Sequence, residues 1–130
     1  MQGDDEVKWN FDNDRAIYTQ IISHMKGFII SGKLMPGQKL MPVRELAAQA
    51  GVNPNTMQRA LAELEEMGLV YANRTAGRFV TDDTQKIAAL KAEAAKEKLE
   101  EFFDEMQKIG LKKSEVISLI KEYEGGIKDE

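Results

Sequence analysis

Three segments in the first half of the chain carry apolar residues at the three- and four-residue spacing of an amphipathic helix. Their apolar positions are, in order, Ile17, Ile21, Met25 and Phe28; Val43, Leu46, Ala47 and Ala50; and Met57, Ala60, Leu61 and Leu64. Gly32, Gly51 and Gly68 follow the three segments and can adopt the left-handed conformation in which many helices end. Asn53-Pro54 is typical of a helix start, because asparagine caps free amides and proline lacks one. The pattern predicts three helices, the last two joined by a short turn.

A two-stranded hairpin is predicted after the third helix. Residues 69–72 and 78–81 favour β-strands because of their β-branched and aromatic content. Residues 73–77 between them form a five-residue loop that contains a glycine. Such a hairpin beside a pair of helices is a wing.

The last third of the chain predicts two more helices. From Asp83 the composition turns to Ala, Lys and Glu, and apolar residues recur near helical spacing as far as Ile109. Gly110 ends this long helix, and the apolar residues of 116–120 indicate a short final one. The predicted fold is therefore mainly α with a small β-hairpin: a winged helix-turn-helix domain followed by a C-terminal helical dimerisation tail.

Composition excludes several kinds of site. The chain has 130 residues, 42% apolar and 31% charged, which suits one small domain with an appendage. Cysteine is absent and His24 is the only histidine, so disulfides, thiolate metal sites and multi-histidine metal sites are excluded. We expect no metal, no cofactor and no enzymatic activity. An acidic amino terminus without a following apolar stretch argues against secretion and membrane insertion, so a cytoplasmic location is expected.

Charge is distributed unevenly and divides the chain into three parts. The whole sequence carries a net charge of -4, but residues 14–81 alone carry +3, between an acidic stretch at 1–13 and an acidic stretch at 82–130. This asymmetry permits, without deciding, a division into an acidic N-terminal arm (1–13), a winged helix-turn-helix DNA-binding domain (14–81) and a two-helix dimerisation tail (82–130).

The predicted third helix carries side chains that suit base recognition. In a helix-turn-helix protein, the start of the second helix of the pair meets base edges in the major groove. Amides pair with adenine, a guanidinium pairs with guanine, and threonine offers a methyl and a hydroxyl group. Long cations beside that surface reach phosphates or the neighbouring minor groove. The candidates for DNA contact are Asn53, Asn55, Thr56, Gln58 and Arg59 of this helix, with Arg74 and Arg78 of the wing.

Several motifs in order resemble the winged helix-turn-helix domain of GntR-family transcription regulators. They are Ile-Tyr-Thr-Gln-Ile at 17–21, Ser-Gly-Lys-Leu-Met-Pro-Gly at 31–37, Arg-Glu-Leu-Ala at 44–47, Asn-Thr at 55–56 and Phe-Val at 79–80. The match spans about half of the chain. By this resemblance Arg44, Asn55 and Thr56 lie at positions used for DNA contact, and Gly77 lies at the wing tip. The wing departs from the family pattern Gly-x-Gly-Thr-Phe-Val, because Arg78 stands where the family has threonine.

The tail resembles that of the YtrA-type branch of the family, which uses a short pair of helices for dimerisation. We assign Leu90, Phe102, Phe103, Met106 and Ile109 to a homodimer interface, since this apolar stripe has no core of its own to enter. The resemblance implies a homodimeric repressor that binds an inverted-repeat operator in double-stranded DNA, regulates ABC-transporter genes and leaves room for an unidentified small-molecule effector.

Two other functions are compatible with parts of the sequence. The net acidity would suit a winged-helix module that binds another protein instead of specific DNA. A hydrolase using Asp104 and Glu105 is disfavoured, because adjacent residues on a helix do not face each other.

Overall fold

The computed structural model describes residues 8–126, and the chain divides between Leu90 and Lys91 into two compact units. In order, the elements are α1 (Ile17–Ser31), α2 (Val43–Ala50), α3 (Pro54–Glu66), β1 (Val70–Asn73), β2 (Gly77–Val80), α4 (Thr84–Lys108) and α5 (Lys113–Glu124). The mainly α fold with one antiparallel hairpin, predicted as a winged helix-turn-helix, is confirmed.

The core of the first unit is formed by the inward faces of α1, α2 and α3. The helical spacing in the sequence identifies these faces correctly, since Met25, Leu46 and Leu61 are all fully buried. The third helix packs against both of the others, so its orientation is set by two independent contacts. Burying a side chain of this size stabilises the fold by about 1.5–3 kcal/mol. The opposite face of α3 is thereby held towards solvent.

The hairpin turn is shorter than the five residues predicted. Asn73 pairs with Gly77 in the strand register, so only three residues lie in the turn. The Asn73 side-chain oxygen accepts hydrogen bonds from the Thr75 backbone N–H and from its hydroxyl, which closes the turn locally. Gly77 has φ +109°, a value that residues with a side chain rarely adopt, and this conformation lets the strand begin one residue earlier.

A third extended segment borders β2 on its other side. The Leu40 N–H donates to the Arg78 carbonyl at 2.9 Å, and the Val80 N–H donates to the Gln38 carbonyl at 2.9 Å. Because β2 also pairs with β1, its backbone is hydrogen-bonded along both edges. The wing is therefore anchored to the segment that precedes α2.

The residues before α1 pack against that helix. Trp9 meets the edge of Phe28 with 5.1 Å between ring centroids and stacks on His24 at 5.6 Å. The buried Gln20 side chain holds the same segment through three hydrogen bonds to backbone atoms of Asp12 and Arg15. Positions 1–7 of the predicted acidic arm lie outside the described residues. In the rest of the arm, Trp9, Phe11 and Asp12 contact side chains of α1.

The second unit contains the later part of α4 and all of α5. Val116 of α5 is 1% exposed, and it is the one residue of the described part of this unit that is fully buried. None of the helices within residues 8–126 is both long and apolar enough to cross a membrane.

Candidate nucleic-acid interface

The start of α3 is capped by the residue that the sequence identified. The Asn53 side-chain oxygen accepts a hydrogen bond from the Asn55 backbone N–H at 2.8 Å, and Pro54 occupies the first helical position. This cap satisfies an amide that the helix leaves without a partner. Asn53 was also predicted to contact DNA. The capping bond engages its side-chain oxygen, but the residue is exposed, so its side-chain N–H groups remain accessible.

The exposed face of α3 presents the predicted base-reading side chains together. Asn55 and Gln58 are exposed and Thr56 is half-buried, whereas Met57 between them is buried in the core. Among the hydrogen bonds of residues 8–126, the Asn55 side chain takes part in none. The side-chain amide of Asn55 is therefore available to a base, because the helix is capped by Asn53.

Arg59 is held against α1 by an aromatic ring. Its guanidinium carbon lies 3.6 Å from the centroid of the Tyr18 ring, which is the geometry of a cation–π contact. Stacking uses the flat face of the guanidinium and leaves its N–H edges directed outward. Arg59 is thus held in place beside the exposed face of α3, and its predicted phosphate contact stays a prediction.

Arg78 is paired, whereas the sequence suggested a free wing cation. Its Nε donates to Glu65 Oε1 at 2.6 Å, and its Nη1 donates to Gln58 Oε1 at 3.4 Å. The side chains of Arg78 and Glu65 are 20% and 31% exposed, so the ion pair is partly sheltered from water. A phosphate contact by Arg78 stays a prediction, but it would be made by a guanidinium whose charge Glu65 already compensates.

The remaining predicted cations are exposed on both sides of α3. Arg44 is the second residue of α2, and Arg74 is the first residue of the wing turn, directly before Thr75. Both side chains are exposed, and Gly77 ends the turn at the wing tip. The fold therefore places α2, the start of α3 and the wing turn on the first unit with their predicted DNA-contacting residues accessible.

Tyr18 and Glu65 also lie at this surface, and neither was among the site residues predicted from the sequence. Glu65 follows Gln58 by seven residues on α3, so the two side chains lie on one face two turns apart. That spacing was a usable signal. The stacking of Tyr18 with Arg59 depends on how α1 packs against α3, for which the sequence holds no local signal.

The predicted dimerisation residues are divided among different surroundings. Leu90 packs against the core of the first unit, as does Ile87, so the premise that it has no core to enter is wrong. Phe102 and Met106 line an apolar groove of about 590 Å³ with residues of α5. Phe103 lines a separate cleft at the turn into α5, and Ile109 is 71% exposed.

The apolar groove of the second unit is bordered by exposed aliphatic and aromatic side chains of α5. Leu119, Ile120 and Tyr123 line it and are 47%, 45% and 72% exposed. Only Val116 of this helix is withdrawn from solvent. The interface predicted from the sequence lies on α4 alone and does not include these residues of α5, although their helical spacing is visible in the sequence.

Nothing in the described range suggests a metal centre. Residues 8–126 contain no cluster of three or more His, Asp or Glu side chains placed to share an ion. His24 uses both ring nitrogens within the fold: Nδ1 lies 2.8 Å from the Gln20 carbonyl, and Nε2 accepts from the Asn10 N–H at 3.2 Å. Asp104 and Glu105 are both exposed neighbours on α4.

The comparison with known protein families matches the part of the chain that carries the exposed polar surface of α3. Residues 17–80 match the family model of bacterial regulatory proteins, gntR family. The chain is 38% identical to the HTH-type transcriptional regulator YhcF of Bacillus subtilis (strain 168), covering 89% of this chain and 97% of that protein. It is 33% identical to the HTH-type transcriptional repressor YtrA of the same organism, covering 86% and 87%.

Two solved structures are similar to different shares of this chain. A GntR family transcriptional regulator from Listeria monocytogenes is 41% identical and superposes with a TM-score of 0.76, covering 86% of this chain and 98% of that one. The structure of AraR(DBD) in complex with operator ORX1 is 29% identical with a TM-score of 0.51, covering 58% of this chain and 96% of that one.

Proposed function

This chain belongs to the GntR family of bacterial regulatory proteins, and we propose that it binds an inverted-repeat operator as a homodimer and represses transcription. Members of the family are DNA-binding transcription regulators and not enzymes, so the hydrolase alternative is set aside.

The observation that carries the proposal is the capped, outward-facing start of α3. Asn53 holds the first turn, and Asn55 and Gln58 stand exposed on it while Met57 fixes the helix in the core. Amide side chains on the first turns of a recognition helix can pair with base edges in the major groove. A surface devoted to protein binding would need an apolar centre, which this face of α3 lacks.

Base reading on this surface extends to α2, and phosphates are contacted from its edges. Arg44 can fork onto a guanine from α2, and Thr56 can contact a thymine methyl or a polar base edge. Arg59, stacked on Tyr18, and Arg74, at the exposed wing turn, suit phosphate contacts. Phosphate contacts add affinity for any sequence, whereas base contacts choose among sequences.

The apolar groove of the second unit supports the homodimer. An exposed apolar face of this kind marks an interaction surface, and isologous pairing of two copies is the commonest way to cover one. Phe102, Met106, Leu119, Ile120 and Tyr123 supply aromatic, Met and aliphatic side chains, of which aromatics and Met are enriched in interface cores. A two-fold dimer places two recognition helices on two half-sites, which explains an inverted repeat.

Repression and the regulated genes are inferred from relatives. The similar YtrA of Bacillus subtilis is named a transcriptional repressor, and the resemblance of the tail to that branch suggests transporter genes as targets. Repression requires only that the dimer occupies its operator in competition with the transcription machinery. Such a regulator works where the bacterial chromosome lies, in the cytoplasm.

The test is to select binding sites from random duplex DNA with the purified full-length protein. We expect an inverted repeat to be enriched, and we expect Arg44→Ala to relax the preference at one symmetric pair of positions. Lys96→Ala removes an exposed cation on α4 and is the matched control, which should leave the selected sequence unchanged. Failure of the wild-type protein to enrich any sequence would refute specific operator binding.

A further inference from the structure

The hydrogen-bonded chain Glu65–Arg78–Gln58 connects the wing to the recognition helix. Gln58 and Glu65 both lie on α3, and Arg78 reaches them from β2. The two elements that carry these three residues are held in place independently. The α3 helix is packed in the core, and in β2 the Arg78 carbonyl accepts from the Leu40 N–H at 2.9 Å. We propose that Glu65 and Arg78 are positioning residues that make Gln58 a hydrogen-bond donor toward DNA, so that it selects guanine instead of adenine.

The bond from Arg78 engages one end of the Gln58 amide and leaves the other end to a base. Pairing with adenine uses both ends of the amide, since the oxygen accepts from N6 and the NH₂ group donates to N7. Arg78 Nη1 already donates to Gln58 Oε1. The guanidinium also carries a positive charge, which opposes the approach of the adenine amino group to that oxygen. The second lone pair of that oxygen lies beside the guanidinium charge, so the Nε2 hydrogens of Gln58 are the groups best placed to bond to a base.

Guanine suits a surface made only of donors. In the major groove it presents two acceptors, N7 and O6, and no donor at that edge. A guanidinium has five N–H donors, of which Arg78 uses one on Glu65 and one on Gln58. The other three N–H groups of Arg78 and the NH₂ group of Gln58 make no hydrogen bond within residues 8–126, so this part of the surface offers donors.

Glu65 determines whether this set of donors persists. Its carboxylate binds the Nε edge of Arg78 at 2.6 Å and orients the guanidinium so that Nη1 faces Gln58. The two side chains are less exposed than the surface cations Arg44 and Arg74, so the ion pair is less screened by water. Without the carboxylate, the flexible Arg78 side chain would turn to solvent or phosphate and release the Gln58 oxygen.

This inference rests on the proposed operator binding, and site selection with full-length variants tests it. Gln58→Ala first identifies the symmetric pair of operator positions that depend on Gln58. At that pair, the wild-type protein is expected to prefer guanine over adenine by about tenfold, and Arg78→Ala to reverse the preference towards adenine. Glu65→Gln, which keeps the shape and removes the charge, is expected to shift the preference in the same direction by a smaller factor.

Two further variants separate positioning from stability and from phosphate binding. Arg78→Thr places a β-branched residue, which strands favour, at the same position and should also switch the preference if Arg78→Ala folds poorly. Arg74→Ala should weaken binding to all sequences alike and leave the preferred base unchanged. Adenine already preferred by the wild-type protein at the Gln58-dependent pair, or guanine retained by folded Arg78→Thr and Glu65→Gln, would overturn the inference. Failure of the wild-type protein to enrich any operator would instead overturn the proposed function, and this inference with it.

Discussion

The buried carboxamide of Gln20 is expected to be the strongest polar anchor of the first unit. It is 1% exposed, and its Oε1 accepts from the Asp12 N–H at 2.9 Å. Its Nε2 donates to the Asp12 carbonyl at 3.0 Å and to the Arg15 carbonyl at 2.9 Å. One side chain thus holds both backbone groups of Asp12 and the entrance to α1.

The change Gln20→Leu removes all three hydrogen bonds while keeping a side chain of similar size. At about 1 kcal/mol for each net hydrogen bond, the free energy of unfolding should fall by about 3 kcal/mol. Leucine would return part of this loss through its own burial, so a decrease of about 2–3 kcal/mol is expected. For a unit of this size, each kcal/mol lowers Tm by roughly 4–8 °C.

Trp9 makes the same change visible by fluorescence. It is the only tryptophan in the chain, and it packs on Phe28 and His24 in the segment that Gln20 anchors. When Gln20→Leu releases that segment, Trp9 moves into water and its emission shifts to longer wavelength under conditions where the helices remain folded.

Urea denaturation followed by circular dichroism, together with tryptophan emission, measures both effects. Gln49→Leu is the matched control, because Gln49 is an exposed glutamine on α2 and its replacement should change the stability by less than about 0.5 kcal/mol. If Gln20→Leu leaves both the urea midpoint and the Trp9 emission at their wild-type values, the anchoring role assigned to Gln20 is wrong.

Four further outcomes are expected. Asn53→Ala should lower the free energy of unfolding by about 1 kcal/mol because it removes the cap of α3, and Asn55→Ala should relax the operator at one symmetric pair with little loss in thermal stability. The hydrogen bond from Arg15 lowers the pKa of Asp12. The stability that Asp12 contributes is therefore present near neutral pH and is lost as the pH falls through that lowered pKa. Asp12→Asn should flatten this part of the acid unfolding curve. Leu119→Glu should weaken self-association in sedimentation by more than tenfold because it places a charge in the apolar groove, and an unchanged dimer would exclude that face as the interface.

The helices of the first unit could be predicted because their apolar spacing is a local signal. Leu46, Met57 and Leu61 were expected to face the core, and all three are fully buried. The cap of α3 by Asn53 was predictable for the same reason, since the cap and the amide that it binds are two residues apart. The hairpin was correctly located, but its turn is shorter because Asn73 and Gly77 pair within the ladder.

The contacts that could not be predicted from the sequence join residues that are far apart in the chain. Arg78 and Glu65 are thirteen residues apart, and their pairing requires the wing to fold back onto α3. Trp9 and Phe11 show no helical or strand periodicity, and their positions are set by packing with His24 on α1. Leu90 fits the apolar stripe of α4, yet the first turns of that helix lie on the core of the first unit, which spacing alone does not reveal.

The most direct test of the account is a binding titration of the full-length protein against two duplexes of equal length and composition. One carries the selected inverted repeat and the other carries the same bases in scrambled order. We expect the inverted repeat to bind at least about 10³-fold more tightly at physiological salt, with both affinities falling as salt rises. Equal affinity for the two duplexes would contradict the assignment of the α3 surface to operator recognition.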